Sequence, residues 1–100
     1  MKKDEITRDV VGQCLSDLHS VMAEYGASNL RIFGSVARGD ATPTSDIDVI
    51  VDVENPPRGR LFARAGLGER FSQILGRRVD VVFGDDKFAQ KLDPRQVVTI

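Results

Sequence analysis

Between Asp46 and Val53 the sequence alternates polar and apolar side chains, a pattern typical of a β-strand with one buried face. Successive side chains of a strand point to opposite faces, so Asp46 and Asp48 would share one face while Ile47 and Val49 share the other. At about 3.3 Å per residue, the Cα atoms of the two aspartates would lie roughly 6.6 Å apart. The segment therefore predicts a sheet whose open face carries two neighbouring carboxylates.

Helical spacing is found on both sides of this strand. Apolar residues recur every three or four positions from residue 5 to residue 25, which predicts an amphipathic helix that Gly26 would end. Residues 61–75 show a similar spacing, with Gly76 as the stop. Two further helical segments are predicted to be short, over residues 36–38 and within residues 85–91.

Apolar runs rich in β-branched residues predict strands at about residues 29–33, 46–53 and 78–83. The order α, β, short α, β, α, β indicates an α/β fold in which a small mixed sheet is packed with helices, as a single domain over residues 1–100. The apolar end, Val97–Ile100, is predicted to add to a sheet edge or to cover a second subunit in a homodimer.

Composition narrows the class of protein. Fourteen basic and fifteen acidic residues give a net charge of -1, so nucleic acid is not expected as the main partner. The single cysteine, Cys14, cannot form an internal disulfide, and no apolar stretch approaches the roughly 20 residues that span a bilayer. The first residues do not resemble a signal peptide, so a cytoplasmic location without membrane attachment is expected.

Asp80 is the strongest candidate for a third carboxylate, because it interrupts an otherwise apolar strand that could run beside Asp48. Clustered carboxylates on a half-buried sheet are costly unless a cation neutralises them, which favours a metal site. Asp52 shares the parity of Asp48 but would lie about 13 Å from it, so it is assigned to a solvated strand end. The alternative is that Asp46 caps the start of its strand while Asp48 and Asp80 simply face solvent.

Gly34 and Ser35 lie at the end of the preceding strand. Glycine lets a phosphate approach the backbone, and the serine offers a hydroxyl and an N–H group, so the pair predicts an anion cradle, although many such pairs are ordinary turns. Arg38 could neutralise triphosphate charge or be a solvated surface group, and Arg58 is a weaker candidate of the same kind. Ser45 could hydrogen-bond near the site and orient the loop, or merely begin the strand.

The residues Gly34-Ser35-Val36-Ala37-Arg38-Gly39 and Ser45-Asp46-Ile47-Asp48 resemble the motif of the DNA polymerase beta nucleotidyltransferase superfamily, and the chain looks like its minimal nucleotidyltransferase (MNT) antitoxins. The resemblance implies a polymerase-beta-like fold in which Asp46 and Asp48 hold two Mg²⁺ ions. Asp80 would bind metal and help to activate the nucleophile, while Gly34 and Ser35 would hold nucleotide phosphate.

The resemblance also implies an activity. AMP would pass from ATP to a hydroxyl group, most simply a tyrosine, of a partner HEPN-domain toxin, as in a type VII-like toxin–antitoxin pair. One alternative is a non-catalytic antitoxin that neutralises its toxin by occlusion. Transfer to a small molecule is disfavoured, because the chain encodes no additional acceptor-binding domain. The segment from Lys87 to Ile100 departs from the family pattern, which leaves the choice of partner open.

Overall fold

The computed structural model describes residues 8–42 and 45–100, and this part of the chain forms a four-stranded sheet packed with helices. The elements in chain order are α1 (Arg8–Gln13), α2 (Leu15–Glu24), β1 (Ala27–Phe33), α3 (Gly34–Arg38), β2 (Ile47–Val53), α4 (Arg60–Leu75), β3 (Val79–Phe83), α5 (Lys87–Gln90), a 3₁₀ helix (Pro94–Gln96) and β4 (Val98–Thr99). No helix in these residues is long and apolar enough to cross a membrane.

The sheet has the order β3-β2-β1-β4 and is mixed, as predicted. Strands β2 and β3 are parallel, whereas β1 pairs antiparallel with both β2 and β4. The parallel pair needs a crossover connection, which α4 supplies. Because β3 and β4 are the edge strands, each of the central strands β1 and β2 has a neighbouring strand on both sides.

The hydrophobic core lies on the face of the sheet that α2 and α4 cover. On β2, the side chains of Ile47, Val49 and Val51 are at most 1% exposed. They belong to the same buried cluster as Leu67 and Phe71 of α4. The parity predicted from the sequence is confirmed, because the alternate residues of β2 that are apolar are the ones that face this core.

The predicted helix over residues 5–25 is divided. Its first residues, up to residue 7, lie outside the described part of the chain, and Cys14 separates α1 from α2. The N–H group of Cys14 donates to the carbonyl of Val11 at 3.1 Å, three residues back, which interrupts the α-helical hydrogen-bond pattern. The prediction of one continuous helix is wrong here, because apolar spacing continues unchanged across a one-residue break. Gly26 follows α2 with a φ of 69°, as expected of the residue that ends a helix.

The C-terminal end of the chain joins the sheet, which confirms one of the two predicted alternatives. Strand β4 pairs with β1 through Thr99 opposite Arg31 and Val98 opposite Ile32. Before it, α5 is limited to four residues, Lys87–Gln90, within the wider segment predicted as helical. The chain between β3 and β4 crosses the face of the sheet that the larger helices leave uncovered.

Two glycines of α4 have different surroundings, although both lower helix propensity. A Cβ atom on Gly66 would clash with the ring and hydroxyl of Tyr25, which packs directly on the helix backbone. A Cβ atom on Gly68 would lie 3.5 Å from the carbonyl of Val79, an ordinary contact. A side chain at position 66 would therefore displace Tyr25, whereas a methyl group at position 68 has room.

We expect Gly68→Ala to stabilise the fold by about 0.5–1 kcal/mol, the gain in helix propensity, and Gly66→Ala to destabilise it because Tyr25 must move. Urea unfolding followed by circular dichroism measures both free energies. Equal effects from the two substitutions would contradict the packing of Tyr25 on α4.

Candidate active site

The strand register brings three residues into one row across the open face of the sheet. Asp48 on β2 lies opposite Phe33 on β1 and opposite Asp80 on β3. Residues that are directly opposite in a sheet point to the same face, so the carboxylates of Asp48 and Asp80 are neighbours. Asp46, one residue before β2, shares their parity. We call Asp46, Asp48 and Asp80 the acidic row.

Gly34 lies against this row. Its φ is 73°, in the left-handed region that favours glycine, and a Cβ atom there would lie 2.5 Å from Oδ2 of Asp48. Only a glycine lets the backbone at the start of α3 come this close to the carboxylate. The predicted Gly34–Ser35 turn and the predicted acidic pair are thus in direct contact.

The electrostatics of Asp48 reflect this crowding. Burial raises the pKa of the Asp48 carboxyl above its ordinary value, and the charges of Asp80 and Asp46 raise it further. The charge of Arg38 acts in the opposite direction. Asp80 and Asp46 are therefore close enough to Asp48 to disfavour its ionised form, and Arg38 does not cancel the combined effect of burial and repulsion.

Arg78 is a member of the site that was not predicted. Its Nε atom lies 3.9 Å from Oδ2 of Asp46 and 3.8 Å from Oδ1 of Asp80, so one guanidinium bridges the two outer carboxylates. The signal was available in the sequence, since Arg78 lies two residues before Asp80 and therefore has the same parity in the strand. At 77% side-chain exposure, the arginine is held loosely.

The acidic row has the donors that Mg²⁺ prefers, namely carboxylate oxygens. Among residues 8–42 and 45–100, no three acidic, histidine or cysteine side chains stand close enough to enclose a metal as they are placed. Asp46 and Asp80 are, however, partly exposed, so their side chains can turn toward Asp48. A cation would also relieve the repulsion that raises the pKa of Asp48. The residues present therefore fit a divalent metal.

The predicted phosphate-binding residues lie around the same row. Ser35 is part of α3, which has five residues and so offers little helix dipole of its own. Arg38, in the last turn of α3, pairs with Asp40 at 3.2 Å and is close enough to lower the pKa of Asp48. The weaker candidate, Arg58, instead stacks over the ring of Phe62, with 5.2 Å between its Cζ atom and the ring centroid.

Ser45 organises the loop before β2. Its Oγ atom accepts a hydrogen bond from the backbone N–H of Thr42 at 2.9 Å, and its own N–H donates to the carbonyl of Thr42 at 3.0 Å. Arg77 donates to the carbonyls of both residues at 2.8 Å. These contacts match the loop-orienting alternative for Ser45; a direct contact with nucleotide stays a prediction.

An aromatic pair borders the row on its β1 side, and the sequence did not indicate it. The ring of Phe88 in α5 packs against that of Phe33, with 5.7 Å between their centroids, although Phe88 is 55% exposed. The two rings are far apart in sequence and meet only because the C-terminal segment returns across the sheet. Phe88 therefore links α5 to the site.

A family model described as "Nucleotidyltransferase domain" matches residues 15–100, which is most of the chain. The matched range includes the Gly34–Ser35 turn and the whole acidic row. The chain therefore belongs to the nucleotidyltransferase domain family.

Individual proteins agree with this class. The chain is 40% identical over 58 residues to "Protein adenylyltransferase MntA" of Thermococcus cleftensis, covering 58% of this chain and 57% of the relative. It is 34% identical over 59 residues to "Putative protein adenylyltransferase MJ1379" of Methanocaldococcus jannaschii, covering 59% of each. The chain thus spans less than two thirds of the length of these curated relatives.

A solved structure described as "Structure of putative minimal nucleotidyltransferase" has a similar fold. It superposes with a TM-score of 0.69 at 33% sequence identity, covering 95% of both chains. The predicted fold class is confirmed by this likeness.

We expect Asp48→Asn to stabilise the metal-free protein at neutral pH by a few tenths of a kcal/mol, because it removes a crowded charge. The folded-state pKa of Asp48 is raised above the ordinary value of 3.8, so the stability of the wild type falls as pH rises through this interval. The advantage of the variant should therefore vanish as pH drops toward 3.8. Urea unfolding in EDTA across this pH range measures it.

Asp52→Asn is the matched control, on the same strand and face. Burial raises the pKa of Asp52, but hydrogen bonds from Asn29 and Arg31 outweigh it and hold the pKa below its ordinary value. This variant should be less stable than wild type at neutral pH, with the deficit shrinking as pH falls. The same sign of effect in both variants would contradict the assigned surroundings.

We expect Arg78→Gln to tighten Mg²⁺ binding about two- to fivefold at low salt, because it removes a positive charge that competes for the acidic row. Calorimetric titration with MgCl₂ measures the change, which should shrink as ionic strength increases. Arg95→Gln is the control, since Arg95 is exposed and pairs with Asp93. Weaker binding in Arg78→Gln would show that the arginine supports the metal instead.

Proposed function

We propose that this protein is a Mg²⁺-dependent nucleotidyltransferase that transfers AMP from ATP to a hydroxyl group of a partner protein. The observation that carries the proposal is the register that places Asp48 between Asp80 and Phe33, the last residue of β1, next to Gly34. A phosphate-approach point and a set of cation-binding carboxylates then meet at one place. Phosphoryl-transfer reactions need both, because the metal ions act on the oxygens of the bound phosphate.

The residues of the site have different roles in the proposed transfer. Gly34 leaves room for a phosphate against the chain, Ser35 offers hydrogen-bond donors, and Arg38 adds positive charge. Asp46, Asp48 and Asp80 would hold two Mg²⁺ ions, which supply charge stabilisation for the attacking and leaving oxygens. The acceptor oxygen attacks the α-phosphorus. The bond from the α-phosphorus to the oxygen that bridges it to the β-phosphate breaks, and pyrophosphate leaves. The carboxylate of Asp80 accepts the hydroxyl proton.

A protein acceptor is supported by the accessibility of the row. The side chains of Asp46 and Asp80 are 44% and 49% exposed, so a residue on another protein can reach them. The relative from Thermococcus cleftensis is named a protein adenylyltransferase, which supports the same acceptor class. The resemblance of the Gly34–Asp48 motif to MNT antitoxins supports a tyrosine of a cytoplasmic HEPN-domain toxin as the acceptor.

The test follows label from the α-phosphate of ATP into proteins of a lysate of the native host, with Mg²⁺. One labelled band is expected with wild type, and the Asp46→Asn, Asp48→Asn double variant should lose at least about a hundredfold of the transfer rate. Asp52→Asn is the matched control on the same strand and should retain transfer. Copurification, with both variants, of the protein that wild type labels would show that partner binding is intact.

Undiminished transfer by the double variant would overturn the catalytic role of the acidic row. If wild type labels nothing in a lysate that contains a copurifying partner, the protein acts by occlusion. Neutralisation of that partner by the double variant would then distinguish occlusion from transfer directly.

A further inference from the structure

A cavity of about 390 Å³ lies on the open face of the sheet, beside the acidic row. Its volume falls within the roughly 300–1,000 Å³ that is typical of small-molecule sites. Arg31, Ile50 and Thr99 line the cavity, and the register places Arg31 directly opposite the other two. These three side chains form a second row across the sheet, parallel to the row of Phe33, Asp48 and Asp80.

The two rows are separated by two residues along each strand. Ile50 lies two residues beyond Asp48 on β2, and Arg31 lies two residues before Phe33 on β1. The separation is therefore about 6.6 Å along the strands. A ribose bridges a gap of this order between the α-phosphate and the base of a nucleotide.

Helix α5 borders both the acidic row and the cavity. Phe88 packs on Phe33 at the row, and the next two residues, Ala89 and Gln90, line the cavity. A ligand that extends from the acidic row into the cavity would therefore pass along one continuous wall. Consecutive residues of α5 thus connect the row to the cavity.

The lining of the cavity suits a flat heterocycle. Ile50, Leu92, Pro94 and Val97 supply apolar surface for the faces of a ring. Gln90 supplies both a donor and an acceptor on one amide for its edge. A few polar groups set in an apolar lining are typical of sites that orient a planar ligand.

We propose that this cavity binds the base of the nucleotide donor and that the amide of Gln90 selects adenine, which rests on the proposed transfer from ATP. Glutamine can bind adenine through N6 and N7 together, whereas the corresponding edge of guanine requires two donors. Two of the five N–H groups of Arg31 are already engaged, that of Nε by the Asn29 carbonyl and one of Nη2 by Asp52, so the selection is assigned to Gln90. The cavity is thus matched to adenine.

The test compares the affinities of three probes by calorimetry with Mg²⁺: the non-hydrolysable analogue AMPCPP, its guanine counterpart GMPCPP, and tripolyphosphate. Wild type should prefer AMPCPP over GMPCPP by about tenfold, the value of one bidentate contact, and Gln90→Leu should remove most of this preference. Ala89→Phe should fill the cavity, so that AMPCPP binds no better than tripolyphosphate. Tripolyphosphate itself should bind with unchanged affinity.

Lys91→Phe adds the same side chain to a neighbouring position that does not line the cavity, and it should leave every affinity unchanged. Wild-type affinity for AMPCPP in Ala89→Phe would overturn the proposal. If that variant binds AMPCPP normally but no longer labels the partner protein, the cavity takes the acceptor side chain instead. Failure of wild type to bind any of the three probes would overturn the proposed function as well.

Amide chemical shifts of ¹⁵N-labelled wild type provide a test that requires no variant. Tripolyphosphate should shift the amides of Gly34 and Ser35 but not those of the cavity. AMPCPP should shift in addition the amides of Ile50, Gln90 and Thr99. Identical shifts for the two probes would place the base outside the cavity and overturn the proposal.

Discussion

The burial of one face of β2 is the constraint on which the rest of the structure depends. Ile47, Val49 and Val51 are at most 1% exposed, and a slip of one residue would exchange them for the acidic side chains. Such a slip would bury unpaired carboxylates at a cost of several kcal/mol each. The register is therefore strongly specified, and with it the position of Asp48 between its neighbours on β1 and β3. Hydrophobic burial on one face of β2 thus places the acidic side chains on the other face.

The surroundings of a carboxylate, more than its position in a motif, determine its role. Asp48 and Asp52 lie on the same strand with the same parity, yet their pKa values shift in opposite directions. Asp48 faces Asp80 across the sheet, whereas Asp52 accepts hydrogen bonds from Arg31 and Asn29 at 2.5 and 3.0 Å. Asp52 is therefore satisfied by the protein alone. Asp48 is partly buried and repelled by Asp80 and Asp46, and a bound cation would offset that repulsion.

The sequence predicted the features that depend on local pattern. The parity of β2 follows from side-chain alternation, and the end of α4 follows from Gly76, whose φ of 67° favours glycine. The break at Cys14 was missed because a single altered hydrogen bond leaves the apolar spacing intact. The approach of Phe88 to Phe33 was missed for a different reason, since it depends on how a segment of short elements returns over the sheet. The spacing of apolar residues in the sequence does not indicate the path of this segment.

The open face of the sheet is consequently divided along the strands. At one end, the ion pair of Asp52 with Arg31 closes the face, and the backbone of Gly84 packs so tightly there that a Cβ atom would clash with Asp52. In the middle, the C-terminal segment arches over Ile50 and leaves a cavity. At the other end, the acidic row remains open to solvent. This division suits the proposed reaction, in which a small donor would be enclosed in the middle while its reacting end stays exposed to an acceptor on another protein.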